Sequence, residues 1–154
     1  MRLSKQSLLL VALCFVFIFT ACKEQSQEEY ITTLYIEYAD LLANDVATAA
    51  SKYVHYENPG ELDFAIASAN NTIPNYKILE VERLTDDLWA IHVWQKDSTG
   101  LDYTIYHFVA NINGTYKVVT HYKNIPQNLC EGIDLTPYAP PDGWLFWGDM
   151  FDTD

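Results

Sequence analysis

Glu80, His92 and His107 stand on successive segments of alternating apolar and polar residues, at spacings that could bring them together. A carboxylate beside an imidazole can orient the ring and raise its basicity, so such a group could transfer protons near neutral pH. The same side chains could ligate a transition metal, although neither a metal nor a cofactor is expected. Trp94, Tyr103 and Tyr122 fall on the same expected face. With Trp144 and Trp147 near the C-terminus they are the aromatic candidates for gripping a ligand. The bland role for all of these is packing on a half-exposed sheet face, which suits amphipathic His, Tyr and Trp. His55 and His121 lack comparable company, and no nucleophile elbow, phosphate loop, HExxH or CxxC occurs.

Four strands must position these residues: Tyr76–Leu84, Leu88–Lys96, Asp102–Ile112 and Thr115–Lys123, separated by turn signals. Asn113-Gly114 is the strongest of these, because a type I′ turn needs positive φ at both central residues. It places Ile112 opposite Thr115, His107 opposite Thr120 and Ile105 opposite Tyr122. A four-residue loop at Ser98–Leu101 would set His92 opposite His107, and Leu84 facing Leu88 sets Glu80 opposite His92. One face then carries Glu80, Glu82, His92, Trp94, Tyr103, Ile105, His107, Val109, Val118, Thr120 and Tyr122. The other carries Leu79, Val81, Trp89, Ile91, Val93, Tyr106, Phe108, Ala110 and Val119, and is the better core. A slip of one residue would exchange the faces.

Helices precede the strands. Ser26-Gln27-Glu28-Glu29 is a capping box, and Ile31, Leu34, Tyr35, Tyr38, Leu41 and Leu42 recur at helical spacing. Asn44 or Asp45 can cap a second helix through Val46, Ala47, Ala50 and Tyr53. Asn58-Pro59-Gly60-Glu61 predicts a third, ending at Asn70-Asn71. Helices first and strands afterwards imply an α+β fold, with the helices on one face of an antiparallel four-stranded meander. From Asn124 prolines and glycines exclude regular structure over most of the chain. Leu129, Tyr138, Trp144, Leu145, Phe146, Trp147 and Phe151 are nonetheless too apolar for a disordered tail. They predict a strap across the domain, or else an aromatic–acidic hook for a partner.

This order of elements, with YVHYENP, YKILEVERLTDDLWAIHVW and YHFVANINGTYKVVTHYKNIP, resembles the NTF2-like or cystatin-like superfamily over residues 28–126. The resemblance implies a curved sheet wrapped against a long helix around a cone-shaped cavity. Such domains include isomerases and dehydratases as well as binding, assembly and accessory modules, so it widens the choice of function.

Residues 1–21 have a different character. Arg2 and Lys5 precede the thirteen-residue run SLLLVALCFVFIF, the pattern of an export signal and too short for a permanent span. Phe19-Thr20-Ala21-Cys22 resembles the bacterial lipobox, with Phe19 replacing the usual Leu. The resemblance implies cleavage before Cys22 and a diacylglycerol thioether on its sulfur. Several acyl chains give stable anchoring where one gives little. The chain thus divides into a signal peptide (1–21), a lipidated linker (22–27), the α+β domain (28–126) and the Pro-, aromatic- and acid-rich tail (127–154).

Loss of 1–21 leaves 133 of 154 residues, one domain by length. It removes two cations and no acids, so net charge goes from −12 to −14. Such a surface repels nucleic acid and anionic headgroups and is compatible with a cationic partner. Cys14 leaves with the signal and Cys22 is lipidated, so Cys130 has no intrachain disulfide partner; Glu131 beside it disfavours a thiolate. The leading expectation is therefore a lipid-anchored, non-enzymatic domain on the outer face of a bacterial membrane. It would bind a small ligand or an envelope protein through its cavity or its tail. The rivals are a small cavity enzyme with a Glu80–His92 or Glu80–His107 acid–base pair, and a structural domain that buries a sheet face in a homodimer.

Overall fold

The computed structural model describes residues 25–56, 60, 62–63, 75–96 and 100–140. Cys22, Trp144, Trp147 and Phe151, and most of the third expected helix, lie outside them; Gly60, Leu62 and Asp63 are helical. No helix among the described residues is long and apolar enough to cross a membrane.

Helix α1 spans Gln27–Leu42. Ser26 takes the extended backbone of a cap and its hydroxyl accepts the Glu29 amide at 3.1 Å, while Glu28 and Glu29 meet the positive helix end. Its buried stripe is Ile31, Leu34, Tyr35, Tyr38 and Ala39. Helix α2 spans Val46–Tyr53, and of the two residues able to cap it Asp45 does so, accepting the Thr48 amide at 3.1 Å. Its inward face is Ala49, Ala50 and Tyr53, whereas Ala47 is exposed.

Strands β1 (Asn75–Arg83), β2 (Leu88–Lys96), β3 (Asp102–Ile112) and β4 (Thr115–Val119) form an open antiparallel sheet in the order β1-β2-β3-β4. The molecule is α+β, as its element order implies. The Asn113-Gly114 turn is as expected: φ is 52° and 84°, and Ile112 pairs with Thr115. Glu80 pairs with His92, also as expected.

Three features of the sheet differ from expectation. Lys96 pairs with Asp102, so five residues rather than four join β2 to β3, and His92 pairs with Tyr106 while Ile91 pairs with His107. That one-residue change turns every β3 side chain to the opposite face, and β4 turns with it. A bulge between Ile78 and Glu80 puts Leu79 outward, 45% exposed, and keeps Ile78 and Val81 against the core. Strand β4 ends at Val119, because the chain turns at Tyr122–Asn124, where His121 Nδ1 accepts the Lys123 amide at 3.3 Å. That turn buries Ile125, and Thr120 and Tyr122 never join the ladder.

Both faces of the sheet are therefore apolar. The helix face presents Trp89, Ile91, Val93, Val109 and Val118 to the α1 stripe. The outer face gathers Leu88, Ala90, Phe108, Ala110 and Val119 around Ile125. Leu129, Cys130, Ile133, Leu135 and Tyr138 pack over that second cluster, through the short helix α3 (Gln127–Cys130) and a 3-10 turn at Thr136–Tyr138.

Candidate functional site

The register divides the expected trio. Glu80 and His92 lie on the outer face, whereas His107 faces the helices; an acid–base or metal group containing all three does not assemble. Among the described residues no three His, Cys, Asp or Glu side chains are grouped to hold a metal ion.

His107 is 5% exposed and its Nδ1 lies 2.7 Å from the Tyr35 hydroxyl. Burial pushes the imidazole down to about 4, so it stays neutral near pH 7. Burial likewise holds the Tyr35 phenol well above its ordinary value, with Tyr38 adding to the effect. On the same face Gln95 is 2% exposed and pairs in register with the half-buried Tyr103. The Gln95 amide acts on Tyr35 to lower its pKa, yet Nε2 reaches no partner at hydrogen-bond geometry. At the rim Tyr76 donates to Asp40 Oδ1 at 2.9 Å, and burial followed by that carboxylate pushes its phenol up to about 12.

Among the described residues, the chain after β4 covers one part of the outer face. The segment from Ile125 to Tyr138 lies over the end of the sheet nearest the Asn113-Gly114 turn. The Tyr138 ring stands edge-on to Tyr106 and Phe108, at centroid distances of 5.0 and 5.9 Å, and its hydroxyl donates to Glu82 Oε2 at 2.9 Å. Asp134 sets the preceding turn by accepting the Thr136 amide at 3.0 Å; the Thr136 hydroxyl and amide hold its carboxyl below the usual range.

Beyond Tyr138 the face continues as Glu80, His92, Trp94 and Tyr106. His92 stacks on Tyr106 at 4.4 Å and 14° between planes, as a directly opposed cross-strand pair allows. Trp94 is half-buried between Lys77 and Thr104 in register. Both glutamates are exposed. The Tyr138 phenol is pushed up to about 12, by burial first and then by Glu82. Tyr106 is raised by burial and then by Glu80 and Glu82. Carboxylates that hold phenolic protons also attract other cations, and aromatic faces beside them add cation–π attraction.

Of the aromatic candidates, Trp94 thus shares a surface with Glu80 and His92. Tyr103 lies on the opposite face, beside Gln95. Tyr122 packs against the outer core and its neighbour His121 instead of lining a site. Cys130 is half-buried against that core, its Sγ towards the carbonyls of Pro126 and Gln127. Tyr106 and Tyr138 were not among the expected site residues. The signal for Tyr106 was its two-residue offset from Phe108, which forces both onto one face. Nothing local marks Tyr138, whose place depends on the path of the chain after β4. No family model, curated protein or solved structure matches this chain.

Proposed function

We propose that this chain is an exported bacterial lipoprotein, anchored through lipid on Cys22, whose NTF2-like or cystatin-like domain binds a cationic partner without catalysing a reaction. The observation that carries the reading is the outer surface where Glu80, Glu82, His92, Trp94, Tyr106 and Tyr138 combine two exposed carboxylates with half-buried rings. A lysine or arginine side chain of an envelope protein would find charge and ring faces there together. The binding reading outranks an acid–base one because His107 lies across the sheet, committed to Tyr35, and the remaining Glu80–His92 pair joins an exposed carboxylate to a ring stacked on Tyr106. The acidic surface, −14 after loss of the leader, would speed the approach of such a partner.

A tetralysine peptide titrated into the full chain tests this. Trp94→Ala and Glu80→Gln should each weaken binding by about fivefold to tenfold, the range of a partly desolvated cation–π or charge contact. Glu28→Gln, which removes the same charge from the first turn of α1, should leave affinity within about twofold, as expected where only screened long-range attraction is lost. Equal losses for Glu28→Gln and Glu80→Gln would mean that the peptide senses only net charge, and would overturn the assignment of this surface.

A further inference from the structure

A separate cavity lies at the other end of the molecule, between α2 and the β3–β4 hairpin. It is an open cleft of about 510 Å3, within the size range of small-molecule sites. Val54, Leu62 and Ile112 supply its apolar wall, and Lys117, His55 and Tyr56 its polar groups. Among the described residues none that lines the cleft carries a carboxylate, in a chain with 21 acids against nine Lys and Arg. By contrast, the outer face proposed for a cationic partner is defined by carboxylates.

The walls of the cleft are tied together. Val54 forms a parallel bridge with Val118, and the His55 amide donates to the Val118 carbonyl at 2.8 Å. The Lys117 ammonium donates to the carbonyl of Lys52 in the last turn of α2. An ammonium has three donors, and among the described residues no carboxylate forms an ion pair with this one. A partly used cation thus stands beside apolar side chains in a concavity whose described lining carries no opposing charge.

We infer that this cleft binds a small monocarboxylate with an apolar body. The carboxylate accepts from Lys117 and the apolar part lies on Val54, Leu62 and Ile112. Charge-assisted hydrogen bonds of this kind are about twice as strong as neutral ones, so the acid is preferred over the matching alcohol. The site is independent of the proposal for the outer face and stands if that proposal fails.

Hexanoate, hexanol and hexylammonium serve as probes, titrated into the full chain in lipid nanodiscs with empty nanodiscs as the blank. Hexanoate should bind one to one and at least about tenfold more tightly than either other probe, the factor expected of one charge-assisted hydrogen bond. Lys117→Gln should remove that preference while leaving hexanol binding unchanged. Ser51 lines the cleft from an exposed position on α2, and Ser51→Trp should abolish hexanoate binding by filling the space. Hexanoate binding no tighter than hexanol, or unaffected by Lys117→Gln, overturns the proposal. Should Lys117→Gln fail to fold, Ser51→Trp decides: binding that survives it overturns the proposal, and loss supports it.

Discussion

His107 shows how the environment of one residue redirects its chemistry. The imidazole that looked available for proton transfer is enclosed between α1 and the sheet, where burial alone lowers its pKa to about 4 and the Tyr35 hydroxyl occupies Nδ1. The unfolded chain releases it to about 6.5, the usual value for histidine. Between those values the unfolded state binds the proton and the folded state does not. The contribution to stability is therefore intact above about pH 6.5 and is lost as pH falls towards 4, by up to roughly 3 kcal/mol. Urea unfolding at pH 7.5 and pH 4.5 should show this acid loss in the wild type. His107→Gln, which has no imidazole to protonate, should show a smaller loss. Equal losses in the two proteins would mean that carboxylates elsewhere account for the whole effect. His107 itself was legible in the sequence as a residue of interest. Its partner was not, because Tyr35 is 72 residues away and was expected only to fill a helical stripe.

At the scale of elements, β3 decides how the surfaces are used. Its strand limits and the turn that follows it could be read from residue types alone, because Asn113-Gly114 needs a backbone that few other pairs adopt without strain. The turn before it could not be read in the same way. Four or five residues can join β2 to β3, and that single residue determines whether His107 or Tyr106 stands beside His92. Val109 and His107 consequently face the helices, and Phe108 and Tyr106 face outward. The outer core then needs its own cover, supplied by Ile125 and the chain beyond it. Truncation of Phe108 or Ile125 to Ala should cost about 2–5 kcal/mol each, because both are buried and the space cannot fully collapse. Leu79→Ala, on the bulge and 45% exposed, should cost less than about 1 kcal/mol. Denaturant midpoints check the contrast, and an Ile125→Ala protein as stable as the wild type would mean that the segment after β4 does not depend on that contact.

For the whole molecule, the proposed lipid anchor joins the charge to the apolar segment before Cys22. A lipid-anchored domain with a strongly acidic surface is held at the membrane while its charge keeps it off anionic headgroups. Cys22→Ala should move the protein from the membrane fraction to the soluble envelope fraction or the medium. Retention of the variant in the membrane fraction would show that another segment provides the anchor.

Local chemistry was sufficient for the Ser26 cap of α1, the stripe of α1, the limits of β2 and β3, and the Asn113-Gly114 turn. Each depends on residues within a few positions of one another, and the physical requirement is met or missed inside that window. The separation of His92 from His107, the pairing of Tyr35 with His107 and the edge-on packing of Tyr138 on the outer face needed the tertiary structure. They follow from the length of one loop and the path of one irregular segment. Strand pairing has a period of two, so a difference of one residue at a turn reverses every side chain after it, and no local pattern of residues detects that reversal.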